Sequence, residues 1–284
     1  MFFSRSKRLK AELAAAKDKI ASLKQEKDDL KSKLHTARER LSQQKDVGIP
    51  IDQLNYNADG LCVWGKNLGF LADERFRRAY ERGQRSGHKF TNTADDFHVE
   101  WRTHVILWAA QVGMKLEGDF VECGVNTGIF SLAIAEYFDF ARCGKQFYLF
   151  DTFCGTPEEQ MSAEEIDKRR RDNQLYYPDC YELAKANFAP YPNMNLVRGR
   201  VPDTLPLAPV EKVAYLSIDM NVAEAELAAL TYYWDKLVPG APIILDDYGW
   251  TGCESQKAAM DRFSQERQVP IVTLPTGQGL LYKL

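Results

Sequence analysis

The chain changes its hydrophobic rhythm near residue 46. Before it, apolar side chains fall at Leu9, Leu13, Ala16, Ile20, Leu23, Leu30, Leu34, Ala37 and Leu41, at spacings of four and three, with Lys27 the one polar intruder. Leu13, Ile20, Lys27, Leu34 and Leu41 take the a positions of a heptad, and Leu9, Ala16, Leu23, Leu30 and Ala37 the d positions. No Gly or Pro interrupts Ser4 to Lys45. About five heptads predict a coiled-coil oligomerisation helix over residues 1–46, a rod roughly 60 Å long. The buried Lys at one a position favours a low-order, register-specific homo-oligomer, with dimer and trimer both open. Arg5, Lys7, Arg8 and Lys10 read as solvated helix surface, the alternative being a weak membrane-surface or partner-enzyme contact.

Val47-Gly48-Ile49-Pro50 stops the helix. Residues 47–96 read as linker and helical lid: a polar connection up to residue 70, a helix over 71–84 and a loop over 87–96. A helix over 97–115 carries Phe97, Trp101, Val105, Trp108, Ala109 and Val112 on one stripe, expected to pack on a sheet. From Asp119 strands and helices alternate. Strands are predicted at 119–124, 146–151, 194–197, 212–219, 241–247, 270–274 and 279–283, and helices at 129–140, 179–189, 222–237 and 252–266, with a polar, partly helical segment at 155–175. Such alternation implies an α/β domain over 97–284, with a mostly parallel sheet covered on both faces and one antiparallel terminal strand.

Composition narrows the class without naming a function. The 284 residues are 45% hydrophobic and 27% charged, with net charge −3, which gives no case for nucleic-acid binding. No apolar run approaches the ~20 residues of a membrane span. The six cysteines are scattered and form no C-x-x-C pair, as expected of reduced thiols in a cytoplasmic protein.

The candidate chemistry lies at strand ends. Asp119-Phe120-Val121-Glu122-Cys123-Gly124-Val125-Asn126-Thr127-Gly128 reads as strand, tight glycine turn and helix start, a place where backbone N–H groups meet a nucleotide-like ligand. Asp151 follows Gly128 by 23 residues, the interval at which an acid commonly takes ribose hydroxyls. Asp219, Asp246 and Asp247 end two further strands. Three carboxylates together call for a hard divalent cation, magnesium, manganese or calcium, unless one or two of them cap helices. His88, His98 and His104 do not make a metal set, because 98 and 104 lie on different faces of the helix; a loop residue such as His88 could still face a substrate.

Five ordered motifs then carry a resemblance. They are Phe120 to Gly128, Leu149 to Pro157, Gly199 with Pro202 to Pro206, Leu216 to Asp219, and Leu237 to Gly240 through Leu245-Asp246-Asp247-Tyr248-Gly249. Together, over roughly residues 97–284, they resemble the TylF/macrocin O-methyltransferase family of class I S-adenosylmethionine-dependent methyltransferases. The resemblance implies a Rossmann-like seven-stranded sheet and S-adenosyl-L-methionine at Glu122, Gly124, Thr127 and Gly128, with Asp151 on the ribose. It implies Mg2+ or another divalent cation at Asp219, Asp246 and Asp247, and a sugar-containing acceptor whose hydroxyl is methylated. The family pattern also has a carboxylate two residues after the first metal aspartate as proton acceptor. Here that position is Asn221, a neutral amide that can orient a hydroxyl but cannot take its proton. Asp219 and Asn221 are therefore the catalytic candidates with the base unassigned, and Glu224 and His88 are the other groups considered. Two rivals stay open. A nicotinamide-dependent enzyme would want a third glycine in the turn, and a catalytically silent scaffold would work through its coiled coil.

Overall fold

The computed structural model describes residues 51–88 and 98–284, together with Lys17 and residues 19–20, 22–27 and 30–35. The chain divides into two units, residues 1–54 and 55–284. In the first, the described residues between 17 and 35 are helical, and Ile20, Leu23, Leu30 and Leu34 are 50–61% exposed. These four occupy a and d positions of the expected heptads; the other a and d positions, apart from the exposed Lys27, lie outside the described residues.

The segment expected to be linker contains a hairpin, β1 (Leu54–Ala58) and β2 (Leu61–Trp64). Its tip, Asp59-Gly60, has φ of 50° and 71°, and two consecutive left-handed residues make the tight turn whose twist matches paired strands. Helix α1 (Glu74–Gln84) begins at Asp73, whose side chain accepts the Phe76 N–H at 2.7 Å. Helix α2 (Glu100–Gly113) follows. It turns Thr103, Ile106, Leu107, Ala110 and Gly113 inward, whereas Trp108 is 46% exposed and Trp101, Val105 and Val112 are half-buried. Of the expected stripe, Ala109 is buried and Phe97 lies outside the described residues, so the buried face is rotated from the expected one. At Gly113 an added Cβ would come within 2.8 Å of the Ala214 carbonyl oxygen, so the C-terminal end of the helix lies close against the sheet.

The sheet runs β5-β4-β3-β6-β7-β9-β8. Its strands are β3 (Asp119–Cys123), β4 (Phe147–Asp151), β5 (Met194–Arg198), β6 (Val213–Ile218), β7 (Pro242–Leu245), β8 (Val272–Thr273) and β9 (Gly279–Tyr282). The first five are parallel; β9 pairs antiparallel with both β7 and β8. Helices α3 (Ile129–Phe138), α4 (Ile166–Leu175), α5 (Tyr181–Phe188), α6 (Ala223–Trp234) and α7 (Glu254–Arg267) complete the alternation. Every residue of β6 is buried, the mark of a central strand covered on both faces. One core, with Ile106, Phe120, Leu132, Phe147 and Tyr215, lies on one face; the other, with Leu216, Leu230, Tyr233, Ile243 and Met260, lies opposite.

Register decides what the strand ends present. Cys123 pairs with both Phe150 and Ile218, and Ile218 pairs with Leu245. The next residue of each strand therefore stands on one row: Asp151, Gly124, Asp219 and Asp246. The order turns back at β3, between β4 and β6, which opens a crevice beyond the carboxyl ends.

Candidate active site

A cavity of about 500 Å3 fills that crevice, and Glu122, Gly124, Asp151, Asp219, Asn221, Asp246 and Asp247 all line it. Thr127 and Gly128, expected on the ligand, do not. The Thr127 hydroxyl donates to Ser86 Oγ at 2.9 Å, and Gly128, with φ 99°, backs onto the Phe188 ring at the start of α3. Both shape the turn from behind.

At the glycine turn, Asp151 Oδ2 accepts the backbone N–H groups of Val125 at 2.6 Å and Asn126 at 2.7 Å, while Oδ1 accepts that of Phe153 at 2.6 Å. The acid thus fixes the loop it faces as well as lining the cavity. Glu122 is 2% exposed. Burial pushes its carboxyl up to about 8, and its Oε2 has no hydrogen-bond partner among the described residues. A buried, unpartnered carboxylate oxygen fits a positively charged group such as an amino acid's ammonium. The donor set at this end therefore suits S-adenosylmethionine.

Across the cavity, ligand oxygens of Asp219, Asp246 and Asp247 lie within 4.8 Å of one another. Asp246 is 2% exposed; its Oδ2 accepts from Arg102 Nη1 at 2.7 Å and its Oδ1 from Gln278 Nε2 at 2.9 Å. Each oxygen keeps a lone pair for a further partner. Burial, then Asp246, then Asp247 hold the Asp219 carboxyl well above the ordinary range; burial and then Asp246 raise that of Asp247. This is an oxygen-only set with excess negative charge, which suits a hard divalent cation.

Several lining or supporting residues carried no sequence signal. Arg102 also grips Asp59 of the hairpin tip, Nε to Oδ2 at 2.7 Å and Nη2 to Oδ1 at 3.0 Å. Burial works against its charge, yet Asp246 and Asp59 outweigh that and keep Arg102 more firmly protonated than usual. Tyr177 lines the cavity near the trio, its phenol raised by burial and then by Asp219. Arg169 of α4 is buried and donates to Asn221 Oδ1 at 2.8 Å and to Gln256 Oε1 at 3.1 Å. Asn221 itself has φ 65°, and its N–H donates to Glu226 Oε1 at 2.9 Å. Asn is among the residues that tolerate that conformation best, and its amide oxygen is committed to Arg169. Glu226 is buried and raised to about 8, by burial first and Asp247 second, but it stands behind Asn221 and does not line the cavity. Glu224 is exposed on α6 and also off the cavity wall. His88 does line the cavity, beside the Asn126 side chain of the glycine turn, and burial lowers its pKa. His104 stacks on Phe70 with centroids 4.1 Å apart, and His98 lies beside Glu100.

With this geometry in place, comparison with known proteins is informative. The family described as Macrocin-O-methyltransferase (TylF) matches residues 107–274. A relative from Streptomyces olivaceus, 8-demethyl-8-(2,3-dimethoxy-alpha-L-rhamnosyl)-tetracenomycin-C 4'-O-methyltransferase, is 32% identical over 148 residues, covering 48% of this chain and 55% of that protein. Mycinamicin III 3''-O-methyltransferase from Micromonospora griseorubida is 27% identical over 187 residues, covering 61% and 72%. Among solved structures, the O-methyltransferase NovP superposes with a TM-score of 0.59 at 23% identity, covering 72% of this chain and 87% of that one. This last likeness speaks to the fold.

Proposed function

The chain belongs to the macrocin O-methyltransferase (TylF) family, and we propose that it transfers a methyl group from S-adenosylmethionine to a hydroxyl of a sugar-containing acceptor, aided by a divalent cation. The observation that carries this reading is that one cavity joins the glycine turn, with Glu122 and Asp151, to the Asp219, Asp246 and Asp247 trio. When bound, the donor supplies an electrophilic methyl group, and the cation supplies charge that acidifies the acceptor hydroxyl. The chain's own residues do the placing. Glu122 faces the donor's ammonium, Asp151 braces the turn and faces the ribose, and the trio orients the acceptor end. Such placement is the main requirement of an in-line transfer.

The sugar acceptor is inferred from the relative whose acceptor carries a rhamnosyl group. The test is release of S-adenosylhomocysteine in the presence of Mg2+ with a panel of p-nitrophenyl glycosides that includes the α-L-rhamnoside. Turnover that a chelator abolishes is expected; absence of turnover across the panel contradicts the reading.

The rod belongs to the same proposal. Four apolar a and d side chains exposed to solvent among the helical residues between 17 and 35 are costly, and pairing with further copies of the chain covers them. Sedimentation of the full chain checks this. A dimer or trimer that Leu23→Lys with Leu30→Lys converts to monomer is expected; an unchanged sedimentation coefficient refutes it.

A further inference from the structure

The position at which the resemblance implies a proton-accepting carboxylate is Asn221, a neutral amide, and the cavity offers another carboxylate in its place. We infer that Asp59, at the tip of the β1–β2 hairpin, receives the acceptor's hydroxyl proton. This inference rests on the methyltransferase reading above and goes beyond it.

Among the described residues, the carboxylates that line the cavity are Asp59, Glu122, Asp151, Asp219, Asp246 and Asp247. Glu122 and Asp151 belong to the glycine turn, and the last three form the cation trio. Asp59 is the remaining one among the described residues, and it lies at the trio's end of the cavity, because a single guanidinium, that of Arg102, holds both Asp59 and Asp246. Glu224 and Glu226, the acids that follow Asn221 in sequence, are off the cavity wall.

The position of Asp59 is built. Tyr56 of β1 donates its hydroxyl to Glu100 Oε2 at 2.7 Å, which pins the hairpin to α2. Gly60 packs against the Trp250 ring, where even a Cβ would stand 3.1 Å away. The Arg102 fork fixes the carboxylate plane, using one lone pair on each oxygen and leaving another on each for a hydroxyl. The side chain of Asp59 is 13% exposed. Burial outweighs Arg102 and holds its carboxyl above the usual range, which favours a proton acceptor. Both Asp59 and Arg102 precede the segment that matches the family, residues 107–274.

The step balances simply. The acceptor oxygen uses a lone pair to form the O–CH3 bond, and the S–CH3 pair stays on sulfur, turning sulfonium into neutral thioether. The hydroxyl proton passes to an Asp59 oxygen and then to solvent.

The test compares four proteins: wild type, Asp59→Asn, Asn221→Asp and the double variant. The probes are p-nitrophenyl glycosides with S-adenosylmethionine and Mg2+. Asp59→Asn, which keeps an oxygen for Arg102, should lower kcat about 100-fold, with KM for the donor and calorimetric affinity for S-adenosylhomocysteine unchanged. Asn221→Asp in that background should restore kcat at least tenfold, since it returns a carboxylate to the family's position. A purely structural role for Asp59 predicts no such rescue. If Asp59→Asn does not fold, Asp59→Ser serves in its place. Full kcat in a folded Asp59 variant overturns the inference, as does equal loss of donor affinity. It also falls if His88→Asn, and not Asp59→Asn, removes turnover. Absence of wild-type turnover with every probe overturns the methyltransferase reading itself, and this inference with it.

Discussion

The two ends of the cavity are built by different means. The donor end comes from one short stretch, residues 122–126, and one acid, Asp151, whose carboxylate is tied to backbone N–H groups. The end proposed for the acceptor is gathered from residues 59, 102, 169, 219, 246 and 247 and is held by side chains: Arg102 pairs with Asp59 and Asp246, and Arg169 donates to Asn221. Backbone-held geometry follows from local chain conformation. Charge-held geometry depends on every partner being present, since a lone buried charge is strongly unfavourable. The ends touch at Gly124, where φ is 92° and an added Cβ would overlap the Asp219 carbonyl oxygen.

That junction carries the largest expected effect. Gly124→Ala should cost about 4 kcal/mol or more, because the clash is with backbone that cannot move aside. Gly144→Ala, at φ 77° but with open space around it, should cost only about 1–2 kcal/mol. Urea unfolding of the two variants checks the difference. Next comes the acceptor end: Arg102→Met strips the partner from both Asp59 and Asp246 and should destabilise by about 3–5 kcal/mol. Calorimetric unfolding that shows no loss would mean the charge pairs do not hold this end together.

The third effect is pH dependence. The Glu122 and Glu226 carboxyls are raised from 4.5 to about 8 in the folded chain. Between those values the folded state binds more protons than the unfolded one, so stability falls as pH rises from about 4.5 to about 8, by up to about 1.4 kcal/mol per pH unit for each group. Glu122→Gln should remove one share of that slope and Glu226→Gln the other, as unfolding measured at pH 5, 6, 7 and 8 would show. The smallest effect is expected far from either end. Lys212 pairs with Glu117 at 2.7 Å on the surface, and Lys212→Ala should change stability by no more than about 0.5 kcal/mol.

The same contrast explains what was legible in the sequence. The parallel sheet follows from alternating apolar runs, and Glu122, Gly124, Asp151 and the aspartate trio follow from acids and glycines at strand ends, all of which are local patterns. Arg102 and Arg169 were not legible, because each looks like an ordinary charge on an amphipathic helix and gains meaning only from partners 144 and 52 residues away. The hairpin was legible and missed: Asp59-Gly60 between Leu54–Ala58 and Leu61–Trp64 is a strong turn signal. On α2 the spacing of large apolar residues does not set the buried face: Trp108 is exposed, whereas Ile106, Leu107 and Ala109 are buried and Gly113 meets the sheet closely.

The most direct test of the account is calorimetric titration of S-adenosylmethionine into three proteins: wild type, Asp151→Ala and Asp246→Asn. The account predicts one donor per wild-type chain, loss of binding in Asp151→Ala, and near wild-type donor affinity in Asp246→Asn, because the two ends serve different ligands. No binding by the wild type at millimolar donor, or equal loss in both variants, would contradict it.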